Sequence, residues 1–309
     1  MDHRRFIVLT GILTATLALG GPAMASQGSA GAAAGGVRSG DHRSHPRPEH
    51  LDYYLALGDS LASGVQPDAT GKSVITNQGY ASDLAAELRE RSRHLDFVNL
   101  SCPGESTTTM LDGGCPAPHA YADQADAAAS FLKAHRSARI LVTIDIGANN
   151  VDGCTTAAGI DPGCVTAGLT AAATELPKIL GKLKAAAGPR TVFAAMNYYD
   201  PFLAAWLTGP AGQAQAQASV PLDLQLNSIL SSAYAAFGVP VADVAGRFST
   251  TSFTPLVPLT PTLMVPLNVA RVCQWTWMCA PSPVGPNIHA NKRGYEEIAD
   301  TFEAIVDPR

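Results

Sequence analysis

From Leu51 to Pro308, short apolar runs of strand length alternate with longer stretches of helical period, and this alternation constrains the fold more than any other feature. Tyr53 to Leu57 reads as a first strand, Phe97 to Leu100 as a second and Ile140 to Ile146 as a third. Thr191 to Met196 and the short run Val239 to Val244 supply a fourth and a fifth. Helical stretches are expected at Tyr80–Arg91, Asp123–Arg136, Thr166–Ala187 with a bend at Pro177, Leu222–Phe237 and about Asn291–Val306. The last places Tyr295, Ile298, Ala299, Phe302 and Ile305 on one face. Parallel strands need a long crossover, and a helix between each pair provides it, so the expected class is α/β: a mostly parallel five-stranded sheet covered by helices. In such sheets ligands bind beyond the carboxyl ends of the strands.

Those ends carry the chemistry. The first strand closes on Gly58-Asp59-Ser60, followed by the small residues Ala62, Ser63 and Gly64. A serine on such a turn can project its hydroxyl beside outward-facing backbone N–H groups. The second strand runs into Ser101-Cys102-Pro103-Gly104-Glu105-Ser106-Thr107 and the third into Gly147-Ala148-Asn149-Asn150, while Asn287-Ile288-His289 leads into the last helix. Each segment alone reads as a turn or a helix cap. In this order the four resemble the signature blocks of the SGNH (GDSL) hydrolase family, in its secreted actinobacterial lipase/esterase form, over nearly the whole of Leu51 to Pro308.

The resemblance implies a flavodoxin-like three-layer sandwich and a serine esterase or lipase acting through an acyl-enzyme. It assigns Ser60 as nucleophile and His289 as base. The oxyanion hole falls to the backbone N–H groups of Ser60 and Gly104 and to the side-chain amide of Asn149. Four histidines lie beyond residue 50. His94 and His135 stand in charged, surface-like contexts, and His119, in the loop after Cys115, is the runner-up for the base. Two positions depart from the family pattern: Asn150 replaces an Asp, and Pro286 stands three residues before His289 where an Asp is usual. No Asp or Glu occurs from Thr250 to Arg293, so a backbone carbonyl of Pro286 or Asn287 is expected to orient the imidazole, with Asp243 as the remaining carboxylate.

Met1 to Arg5 is charged, Phe6 to Leu19 is apolar and Ala23-Met24-Ala25 is a small-x-small site, the pattern of a secretory signal peptide over residues 1–25. The apolar stretch is short of the roughly 20 residues a spanning helix needs, so a secreted, extracellular protein without integral membrane association is expected. Residues 26–50, rich in Gly, Ala and Ser, read as a flexible leader, and 51–309 as the hydrolase domain. The six cysteines, even in number in an exported chain, suggest sequential disulfides: Cys102 with Cys115, Cys154 with Cys164 and Cys273 with Cys279. Their spacings do not suit zinc, the glycines around Ser60 do not make a nucleotide fingerprint, and no cofactor or metal is expected. A net charge of −5 disfavours nucleic acid as a partner. The expected partner is an acyl-ester substrate, and the expected state a monomer.

Phe253 to Leu267, Trp275, Trp277 and Met278, with Phe202 and Trp206, are candidates for an acyl groove. The fold does not choose among lipase, phospholipase, carbohydrate esterase and acyltransferase. A silent lipid- or glycan-binding protein on the same fold is the alternative.

Overall fold

A computed structural model of the protein describes residues 50–115, 121–156 and 159–306. The signal peptide, most of the leader, and His119 lie outside the described residues.

The domain begins with strand β1 (Tyr53–Gly58), a small hairpin of β2 (Val65–Pro67) and β3 (Ser73–Ile75), and helix α1 (Tyr80–Arg91). Strand β4 (Asp96–Asn99), helices α2 (Thr107–Asp112) and α3 (Gln124–Ala134), and strand β5 (Ile140–Asp145) follow. After the two-residue strands β6 (Thr155–Thr156) and β7 (Gly159–Ile160) come the long helix α4 (Pro162–Ala186), strand β8 (Thr191–Met196) and a 3-10 stretch at Pro201–Thr208. The chain continues through α5 (Pro210–Ala236), β9 (Val241–Ala242), α6 (Val244–Arg247), the hairpin β10 (Leu256–Thr260) and β11 (Leu263–Pro266), α7 (Leu267–Trp275) and α8 (Lys292–Val306).

Strands β4-β1-β5-β8-β9, in that order, form one sheet with every neighbouring pair parallel. This is the expected doubly wound class, and the order reverses between β1 and β5. Beyond the carboxyl ends of those two strands such sheets form their crevice. Both are buried on both faces, hence their largely apolar sequences, with Thr143 and Asp145 the buried polar residues of β5. Helix α1 packs with α8, while α4 packs with α3 and α5, giving a helical layer on each side of the sheet.

Two helices depart from the sequence reading. Helix α4 continues through Pro177 as expected but begins at Pro162, ahead of the expected Thr166, where Asp161 caps Gly163 N–H at 2.9 Å. Helix α5 starts at Pro210, twelve residues before the expected Leu222, and contains Pro221. Its first half, rich in Ala and Gln, has helix propensity but no apolar stripe, so periodicity does not register it. The cysteines pair as expected: Cys102–Cys115, Cys154–Cys164 and Cys273–Cys279. No helix among the described residues is long and apolar enough to cross a membrane.

Candidate active site

Ser60 sits immediately beyond β1 on a turn held by two carboxyls. Gly58 has φ of 135°, and a Cβ there would overlap the Asp145 side chain, so glycine is required for the turn to lie against β5. Asp59 accepts hydrogen bonds from Leu61 N–H (2.9 Å) and the Tyr198 hydroxyl (2.7 Å). Asp145, at the end of β5, accepts from Ala62 N–H (3.0 Å) and the Tyr80 hydroxyl (3.1 Å), and its carbonyl accepts from Asp59 N–H (3.1 Å). The two carboxyls also hydrogen-bond each other. Both are buried, and like charges in contact cannot both ionise, so one proton stays between them. Burial raises Asp59 to about 6, while burial and the Asp59 charge push Asp145 well above the carboxylate range, making Asp145 the protonated partner. Gln124, on α3, clamps the same turn by accepting from Gly58 N–H (2.6 Å) and donating to its carbonyl (2.9 Å).

The expected oxyanion donors are available. Neither Ser60 N–H nor Gly104 N–H donates to another described residue. Gly104 has φ of 86°, and its loop is tied to β1 by Cys102 N–H to Gly58 carbonyl (2.9 Å) and to the segment after α2 by the Cys102–Cys115 disulfide. Asn149 Nδ2 spends one hydrogen on the Glu105 carbonyl (2.9 Å), and the other remains for a ligand. Asn150, where the family has Asp, braces the Gly104 loop by accepting from Thr107 N–H (3.1 Å) and donating to Thr107 Oγ1 (2.7 Å).

His289 corrects the expectation of a backbone carbonyl. Its Nδ1 lies 2.7 Å from the side-chain oxygen Oδ1 of Asn287, which also accepts from the His289 backbone N–H at 3.0 Å. A backbone N–H can only donate, so the atom facing it is the amide oxygen, and Nδ1 must carry the ring proton. The lone pair is then on Nε2, the form a general base needs. Asn287 is itself held, its Nδ2 donating to Ser73 Oγ (3.0 Å) and its N–H to the Trp277 carbonyl (3.2 Å). Burial, with no carboxylate to oppose it, lowers His289 to about 4. Asp243 is engaged elsewhere, capping α6 through Gly246 N–H and accepting from Asn197 Nδ2 (2.8 Å). His135 packs at a tilt against Tyr53 at the opposite end of β1, and His94 is exposed.

Ser60, Asn149 and His289 line one cavity, and Gly104 stands outside its wall. Of the proposed groove residues only Phe202 lines it. Trp206 packs on Phe253, and Val257 and Leu259 of the β10–β11 hairpin pack with α7, while Trp277 Nε1 donates to Gln66 Oε1 (3.3 Å). An apolar groove between α4 and α5 shares Ile160, Val165, Leu169 and Leu222 with the cavity wall. The sequence carried no signal for it, because its walls come from helices on either side of β8. Among the described residues, the one open cluster of metal-type ligands, Glu87 with Asp300 and Glu303, lies on α1 and α8 and does not line the cavity.

A sequence profile of the GDSL-like lipase/acylhydrolase family matches residues 56–297. No curated protein matches the chain in sequence. Among solved structures, the chain is similar to phospholipase A1 from Streptomyces albidoflavus NA297, with 17% identity over 82% of this chain and 99% of that one and a TM-score of 0.50. A putative GDSL-like lipase from Parabacteroides merdae matches with 14% identity over 84% of this chain and 99% of that one, again with a TM-score of 0.50. At these identities the likeness concerns the fold.

Proposed function

Because the chain belongs to the GDSL-like lipase/acylhydrolase family and is a carboxylic ester hydrolase, we propose that it cleaves its ester through an acyl-enzyme on Ser60. His289 Nε2 takes the Ser60 proton as Oγ attacks the ester carbonyl, then returns it to the departing alcohol. Ser60 N–H, Gly104 N–H and the second amide hydrogen of Asn149 receive the charge that develops on the carbonyl oxygen. Water, activated by the same imidazole, releases the acid. Asn287 holds the ring in the productive tautomer without a negative charge. The observation that carries the reading is the cavity on which Ser60, Asn149 and His289 converge.

The groove between α4 and α5, lined by Val165, Leu169 and Ile229, suits an acyl chain and favours lipid-like esters. Secretion rests on the signal-peptide pattern of residues 1–25, followed by a leader to residue 50, and on three disulfides in the domain. The test is a fluorophosphonate label with mass mapping, run beside an acyl-length series of p-nitrophenyl esters. Ser60 should carry the label, and Ser60→Ala should lose both label and turnover. Turnover retained in folded Ser60→Ala would reject the mechanism.

A further inference from the structure

The cavity beside Ser60 has a charge pattern that ester cleavage does not need. Four carboxyls line it, Asp59, Asp152, Asp200 and Asp223, with no Lys or Arg in the wall. Asp200 is satisfied by the Ser219 hydroxyl (2.5 Å) and Phe202 N–H (2.9 Å), and Asp223 accepts from Asn227 Nδ2 (2.9 Å). Asp152 faces the cavity and accepts a hydrogen bond from no described residue. Burial raises Asp200 to about 6, and burial together with the charges of neighbouring carboxyls raises Asp152 to about 7 and Asp223 to about 8, the signature of acids lacking a counter-charge.

The rest of the wall says what kind of counter-charge fits. Tyr198, Tyr199 and Phe202 line the same space, and both tyrosine hydroxyls are committed, to Asp59 (2.7 Å) and to the Ile288 carbonyl (2.7 Å). Their rings are therefore fixed before any ligand arrives. Aromatic rings together with carboxyls are the surroundings that take up organic ammonium groups, whereas a bare metal ion would seek converging oxygens and no rings. The cavity holds about 90 Å³, against the roughly 10–15 Å³ that one water needs, so it admits a group of a few heavy atoms. A long chain belongs in the adjoining groove instead.

We infer that, granted the esterase reading above, the substrate carries a compact organic ammonium group near its ester, seated against Asp152, Asp223 and the rings of Tyr199 and Phe202. The group is recognised by charge and ring contact, and the acyl chain lies between α4 and α5.

Choline and its uncharged isostere 3,3-dimethylbutan-1-ol separate this proposal from general hydrophobic binding. Each is titrated as an inhibitor of p-nitrophenyl butyrate hydrolysis at fixed ionic strength, and by calorimetry into Ser60→Ala. Choline should bind at least about tenfold more tightly than the isostere. Asp152→Asn and, independently, Asp223→Asn should bring that ratio towards one. Equal binding of the two probes to the native wall would overturn the proposal, as would a ratio that survives both substitutions. Absence of aryl-ester hydrolysis would count against the esterase reading, and the calorimetric ratio is read separately from it.

Discussion

Replacing Asn287 by Asp puts a carboxylate where an amide oxygen now lies 2.7 Å from His289 Nδ1. Acceptance from the ring and from the His289 backbone N–H is preserved, so the tautomer is unchanged; the bond to Ser73 reverses, its hydroxyl now donating to the carboxylate, and the negative charge is the dominant new term. Two unit charges about 4 Å apart interact by about 4 kcal/mol at an effective dielectric of about 20. Part of that is spent on desolvating the new carboxylate, and a neighbouring opposite charge shifts a pKa by about 1–3 units in practice. His289 should therefore rise from about 4 into the range of about 5 to 7. Only the neutral ring accepts the Ser60 proton, so the native enzyme should keep its kcat/KM down to about pH 5 and lose it as pH falls through about 4. In Asn287→Asp that limb should move up by the same 1–3 units. Well above the limb, kcat should rise about tenfold as the imidazolium gains about 1.4 kcal/mol of stabilisation in the transition state. The assay is the pH–rate profile of both proteins on one activated ester, with circular dichroism to establish the fold at each pH. An acid limb that stays in place in folded Asn287→Asp would refute Asn287 as the partner of His289.

Asp145→Asn reproduces the neutral, protonated side chain between Ala62 N–H and Tyr80, so fluorophosphonate labelling of Ser60 should persist at pH 7. Asp145→Ala leaves Asp59 and Ala62 N–H without their buried partner and should cost about 2–4 kcal/mol of stability by denaturant titration. Asp59, Asp152, Asp200 and Asp223 hold protons more tightly folded than unfolded, so the stability they lend is full below the usual carboxylate range and lost as pH rises through about 6 to 8. Taking about 2 kcal/mol in all, calorimetry should find Tm about 4–8 °C lower at pH 8.5 than at pH 5.5, and a flat or rising Tm would contradict the assignment. The disulfides close loops with separations of 13, 10 and 6 residues, and reduction should remove about 2–3 kcal/mol for each, read as a lower midpoint in guanidinium.

How much was legible from residue order alone follows from the range of the interactions. Ser60, Gly104 and Asn149 were singled out by the resemblance of their segments to the family's blocks, and what strand order adds is that each segment follows a strand whose end a parallel sheet brings beside the others. The sequential disulfides were readable because each pair brackets one short loop. The partner of His289 was only half readable. Asn287 is two residues away in sequence, but whether its carbonyl or its amide meets the ring depends on the side chain, which is pinned by Ser73 from the β2–β3 hairpin. Asp145 falls inside the run read as the third strand and carried no signal of its own, and its shared proton with Asp59 exists only because β1 and β5 are neighbours in register. The acidic cavity is still further from local pattern, since Asp59, Asp152, Asp200 and Asp223 come from separate segments along the chain. Periodicity and turn chemistry are local and place elements and strand-end residues. Charge pairing, tautomer choice and pocket walls depend on contacts between distant segments, and those exist only once the sheet is closed by its helices.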